Sequence, residues 1–198
     1  ICHMILPIMA YGLPVLRKEC EEIEENTDVK HLVANMFETM YGSFGVGLAG
    51  PQVGKSLRIF VIDASPFAEA EEGEEVNEKL KELKGFKKVF INPVIEQEAG
   101  DEWSFSEGCL SIPGVREDVE RKSTINISYF DENWNFHEES FNGVAARIIQ
   151  HEYDHIEGVL FTDHLKPLKR RLLKRRLEDI SKGKVEVDYK MKFPNLKR

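Results

Sequence analysis

The stretch Gln150-His151-Glu152-Tyr153-Asp154-His155 constrains this chain more than any other. It contains the pattern H-E-x-x-H. Residues four apart share one face of a helix, so a helix here points His151 and His155 the same way. Two imidazoles so placed can hold one metal ion. Glu152 sits one step round, where a carboxylate reaches water beside that ion. The bland counterpart is a surface helix with two solvated histidines. A hydrolytic centre also needs a third protein ligand and one open position.

Two other stretches bear on that need: Glu107-Gly108-Cys109-Leu110-Ser111 and Gly45-Val46-Gly47-Leu48-Ala49-Gly50-Pro51-Gln52-Val53-Gly54. A lone cysteine is usually an inert small hydrophobe, but Cys109 is a candidate third ligand. A thiolate with two neutral imidazoles leaves a divalent ion one open position. That donor set suits Zn, Fe, Ni or Co, and spacing does not choose among them. The glycines of the second stretch do not make a phosphate loop, because G-K-[ST] is missing. They allow another backbone to approach closely.

With these three stretches the chain resembles the peptide deformylases, which carry G-x-G-x-A-A-P-Q, E-G-C-L-S and Q-H-E-x-D-H in this order. One position departs: Gly50 stands where the second Ala is usual. Gly12-Leu13-Pro14-Val15-Leu16-Arg17 is similar to the family's G-x-P-V-L-R opening. The resemblance implies a metal-dependent hydrolase that removes formate from the N-formyl-methionine of new chains. It implies Cys109, His151 and His155 as ligands of one divalent ion, Fe(II) in the cell, with Zn, Ni or Co in purified protein. Glu152 becomes the general acid–base. The Gln52 side-chain amide and the Leu110 backbone N–H become donors to the developing oxyanion. Val46, Gly47, Phe105, Glu107, Gly108, Val144 and Ile148 are expected to bind substrate. Arg121 and Asp154, with Glu107, are expected to brace the metal loop against the helix.

Two other functions compete. A zinc endopeptidase shares H-E-x-x-H but normally takes His or Glu as its third ligand, whereas Cys109 lies 42 residues upstream of His151. A metal-stabilised binding module has no use for a general base such as Glu152.

At 198 residues, 41% hydrophobic and 31% charged, the chain is expected to form one catalytic domain with a sizeable core. No apolar run approaches 18 residues, so no membrane span is expected. Three cysteines without framework spacing favour a reducing compartment, and the expected location is cytoplasmic. Residues 1–3 read as an expression scar before Met4. Net charge is −8, yet residues 166–184 hold nine Lys/Arg and two acids, a local +7 that leaves −15 on the remainder. General nucleic-acid binding is therefore not expected. The basic stretch reads either as a solvated helix face or, by resemblance, as a helix docking on ribosomal RNA where nascent chains emerge.

The expected fold class is α+β: the pattern fixes the elements, and the resemblance implies part of their arrangement, small antiparallel or mixed sheets around a central metal-binding helix, plus a C-terminal helix. Gly12–Arg17 reads as a turn into an extended piece, and Asp28 as the cap of a helix through Val29, Leu32, Val33, Met36, Phe37, Met40 and Tyr41. Strands are predicted at 57–62, 88–94, 124–130 and 134–141, with Trp103–Ser106 leading into the Cys109 loop. Residues 65–86 read as an acidic insertion, seven acids and two lysines between Glu69 and Glu82. Asn142 should cap the metal helix and Gly158 should end it. Pro167 should open the last helix, with Leu168, Leu172, Leu173 and Ile180 on its apolar side. Alternation over 184–193 predicts a terminal strand.

Overall fold

A computed structural model describes residues 4–65, 80 and 83–194 of the chain. Residues 1–3 and most of the expected acidic insertion lie outside the described residues. Near the start comes a short strand, β1 (Ile8–Met9), then a 3-10 helix at Pro14–Arg17. The sequence predicts an extended piece there. Pro14 instead sits at the helix start, where its fixed φ suits the turn, and Leu16 is fully buried.

Helix α1 (Lys30–Gly42) follows the predicted stripe, burying Val33, Met36 and Met40. Asp28 marks its start, accepting the Lys30 N–H at 3.1 Å, although Val29 is the geometric cap. Tyr41 departs from the stripe: it is exposed, and its hydroxyl bonds Asp63 at 2.6 Å.

Five strands then build one antiparallel sheet: β2 (Gly47–Ala49), β3 (Ile59–Asp63), β4 (Lys87–Cys109), β5 (Ile112–Phe130) and β6 (Phe136–Asn142), in that spatial order. The predicted strand 88–94 and the stretch 103–106, expected to lead into the Cys109 loop, are parts of the single strand β4. The sequence ends a strand at Asn92-Pro93, but β-bulges carry β4 past that dipeptide and past Gly100-Asp101. Asn92 takes a positive φ of 48° and its side chain bonds both the N–H and the C=O of Ile23 at 2.8 Å.

Helix α2 (Gly143–Ile156) leaves β6 directly. One face of the sheet, with Phe60, Phe90, Ile125, Ile127 and Tyr129, packs on Ala146, Ile149 and Ile156 of α2. The opposite face, with Val61, Val89 and Ile91, packs on α1. The period-two alternation of β5 makes this possible, because 125, 127 and 129 all face α2. Each large side chain so buried contributes about 1.5–3 kcal/mol. A third cluster joins the β4–β5 tip, through Ile112, Val115 and Val119, to Phe161 and Leu165.

After a 3-10 turn at Phe161–His164 comes α3 (Pro167–Ser181), opened by Pro167 as predicted. Its predicted apolar side is corrected. Leu168 and Leu172 are 68% and 74% exposed, while Leu177 and Ile180 are buried and Leu173 packs against them. The seam follows the 173–177–180 spacing, which turns residues 168 and 172 away from it. The predicted terminal strand shrinks to β7 (Met191–Lys192), which pairs in parallel with β1. The fold class is α+β as predicted. Among the described residues no helix is long and apolar enough to cross a membrane.

Candidate active site

The site is built on α2 and on the tight turn between β4 and β5. Asn142 precedes the helix in an extended conformation, as predicted, although its side chain makes no capping hydrogen bond. At the far end Glu157 is the cap and Gly158, at φ 72°, turns the chain away. A Cβ on Gly158 would lie 2.8 Å from the Arg17 carbonyl carbon, so glycine serves both the turn and the close passage.

Between these ends, His151 and His155 share one face. The Cys109 Sγ comes to 3.3 Å from His155 Nε2, and one donor atom from each of Cys109, His151 and His155 lies within 4.8 Å of the others. Burial opposes charge on the Cys109 thiol, but the field of His155 and hydrogen bonds from both histidines pull it down to about 5. A thiolate is what a divalent metal requires. The donor set therefore fits one such ion.

Glu107 orders this face. It is 5% exposed, and its carboxylate meets His151 Nδ1 at 2.9 Å, Arg121 Nε at 2.8 Å and Arg147 Nη1 at 2.9 Å. Against the burial penalty, His151 and Arg121 hold its pKa well below the usual carboxylate range. Arg121 also donates to Asp154 at 2.7 Å, and His164 meets the same oxygen at 2.8 Å. The sequence predicted Glu107, Arg121 and Asp154 together, and the geometry brings them together.

Arg147 is the residue the sequence reading missed. It is 1% exposed, bonds the Trp103 and Val119 carbonyls, and lies over the Trp103 ring at 4.6 Å. A lone arginine on a helix reads as surface. Its signal was the four-residue spacing to His151, which puts both on the face that meets Glu107.

Glu152 is 4% exposed, and its Oε2 has no hydrogen-bond partner among the described residues. Burial pushes its pKa up to about 7, which suits a group that exchanges protons near neutrality. Gly47 makes the room: a Cβ there would lie 2.8 Å from Glu152 Cδ. The Gln52 amide is fixed in orientation. Its Oε1 accepts the Ala49 N–H at 2.8 Å, so Nε2 faces Cys109 Sγ at 3.4 Å and Ser111 Oγ at 3.3 Å. The Gly50 departure also has a physical reason. A Cβ there would come 2.7 Å from the Leu57 carbonyl oxygen, behind the site rather than in it.

A cavity of about 540 Å³ opens over these groups. Val46, Gly47, Gln52, Phe105, Glu107, Gly108, Cys109, Leu110, Ile148, His151 and Glu152 line it. His155 lies behind, 1% exposed. Val144 does not line it. One helical turn before Ile148, it faces a second cavity with Phe86, Trp103 and Phe141.

Comparison with known proteins identifies the family. The polypeptide deformylase family pattern matches residues 5–171. A peptide deformylase of Christiangramia forsetii is 58% identical over 98% of this chain and 99% of its own, and one of Flavobacterium psychrophilum is 55% identical over 98% and 100%. The crystal structure of a peptide deformylase from Legionella pneumophila superposes with a TM-score of 0.75 at 35% identity, covering 91% of this chain and 98% of that one. The Thermotoga maritima enzyme gives 0.70 at 36% identity, over 83% and 100%. Motifs, site geometry and relatives agree: the chain belongs to the peptide deformylase family.

Proposed function

We propose that the cleft over α2 performs the family's hydrolysis with the residues named above in distinct parts. The chain is a metal-dependent hydrolase that removes the N-formyl group from the N-formyl-methionine of newly synthesised polypeptides, releasing formate. What carries the assignment of parts is the convergence of Cys109 and His151 beside Glu152 at one cavity, with His155 behind them within ligand distance.

The Cys109 thiolate and the two imidazoles would hold one divalent ion, which would supply Lewis acidity and lower the pKa of nearby water. Glu152 takes the proton of the attacking water and later returns it to the departing amine. The Gln52 amide and the Leu110 N–H donate to the carbonyl oxygen as negative charge grows on it. Val46, Phe105 and Ile148 receive the methionine side chain. Strand β2 is a sheet edge beside the cavity, so the substrate backbone lies along Gly45–Gly47 as an added strand. Glu107, Arg121 and Asp154 hold the His151 ring in place.

The ion in the cell is Fe(II), with Zn, Ni or Co taking its place in purified protein. Fe(II) beside a thiolate is oxygen-sensitive. Protein purified without air is expected to contain iron and to deformylate faster than air-exposed protein. Equal activity with zinc in both preparations removes the iron assignment. The chain acts as one catalytic domain in the cytoplasm. Its α3 helix, with Lys169, Arg170, Arg171, Lys174, Arg175 and Arg176 around the exposed Leu168 and Leu172, docks on the ribosome near emerging substrate.

A further inference from the structure

We infer that the segment from Val185 to Tyr189 completes the substrate cleft, and that Tyr189 is a positioning residue for Leu110. This rests on the deformylase reading of the same cleft. The segment lies beyond residue 171, where the family pattern ends.

After α3, Gly183 at φ 71° turns the chain, with Lys184 N–H bonded to the Asp179 carbonyl at 2.9 Å. Val185 then packs on the cluster of Ile112 and Leu177, against which Cys109 also packs. Tyr189 and Met191 pack on the different cluster of Leu48 and Met40, against which Leu110 also packs. Strand β7 ties down the far end, and Ile8 and Ala10 donate N–H bonds to Lys190 and Lys192 at 2.8 and 2.9 Å. A short segment anchored at both ends thus runs past the turn that carries Leu110. Glu186, Val187, Asp188 and Tyr189 line the same cavity as Gln52 and Glu152.

The Tyr189 hydroxyl donates to the Leu110 carbonyl at 2.8 Å. On the other side the Tyr11 N–H donates to the Ser111 carbonyl at 2.9 Å, and Gln52 holds the Ser111 hydroxyl. Cys109 pairs with Ile112, so Leu110 and Ser111 are the whole turn. Tyr189 fixes the peptide plane after Leu110 and limits rotation of the turn that presents Leu110's own N–H. A donor aimed at developing charge acts in the transition state, so loosening it lowers kcat and spares KM.

The test is Tyr189→Phe, which keeps the ring and removes one hydroxyl. With metal content matched, kcat on formyl-Met-Ala-Ser is expected to fall about 10-fold with KM within about twofold, less than outright loss of an oxyanion donor. A role in packing alone lowers the melting temperature without this split. In metal-free protein, NMR relaxation of the Leu110 and Ser111 amides is expected to show lower order in the variant. An unchanged kcat overturns the inference. If wild-type protein releases no formate, the deformylase reading fails, and the amide order then decides: unchanged order overturns the positioning role.

Discussion

Glu107 Oε2 lies 2.9 Å from His151 Nδ1, and this contact determines which ring nitrogen is left to face Cys109. The same carboxylate carries Arg121 and Arg147, so one buried acid couples the β4–β5 hairpin to the helix that bears the histidines.

Replacing Glu107 with Gln is therefore expected to weaken metal binding about 10–100-fold, the usual effect of losing a group that orients a ligand. It also leaves two buried guanidiniums short of their anion, at a cost of about 3–5 kcal/mol. Competition with a metal chelator and urea unfolding measure the two effects separately. Unchanged metal affinity counts against the orienting role.

Acid dependence follows from the same residue. The folded-state pKa of Glu107 is depressed, so its stabilisation is complete above the unfolded carboxylate value near 4.5 and is lost as pH falls towards the lower folded value. In metal-free protein, the stability gap between wild type and Glu107→Gln is expected to narrow between pH 5 and about pH 3. A gap that stays constant contradicts the ionised assignment.

Gly47→Ala places a methyl against the Glu152 carboxylate. Overpacking costs about 1–3 kcal/mol, and displacement of Glu152 is expected to lower kcat more than it raises KM. Gly50→Ala, which restores the residue usual in the family, meets the Leu57 carbonyl instead. It is expected to lower the melting temperature while leaving kcat near wild type in the folded fraction. A kcat loss for Gly50→Ala equal to that for Gly47→Ala places the two glycines wrongly.

These contrasts show what the sequence made legible. His151, His155, Glu152, Cys109 and Gln52 were readable because their motifs fix residue type and spacing together. The α1 stripe and the β5 alternation were readable because one face of each is buried. The single long strand β4 was not, since Asn92-Pro93 looks like a strand end until bulges carry β4 past it. Arg147 and Tyr189 were hidden for another reason. Their partners, Glu107 and Leu110, are 40 and 79 residues away in sequence; the four-residue spacing to His151 is the one local hint of the first contact, and no local pattern announces the second.

The ribosome reading makes its own prediction. Changing Arg170, Arg171, Lys174 and Arg175 to Gln is expected to abolish cosedimentation with ribosomes and to leave small-peptide turnover intact. Wild-type binding is expected to weaken steeply between low and physiological salt, as phosphate contacts require. Ribosome association that is absent, or unaffected by the four substitutions, reduces the helix to a solvated face.

The most direct test of the whole account compares two peptides on anaerobically prepared protein: formyl-Met-Ala-Ser, and a longer peptide blocked at its N-terminus but not formylated. Formate and one free amine per turnover from the first, nothing from the second, and loss of about 10²–10⁴ in rate with Glu152→Gln are the predicted results. Internal cleavage of the blocked peptide without formate release, or full activity in Glu152→Gln, contradicts it.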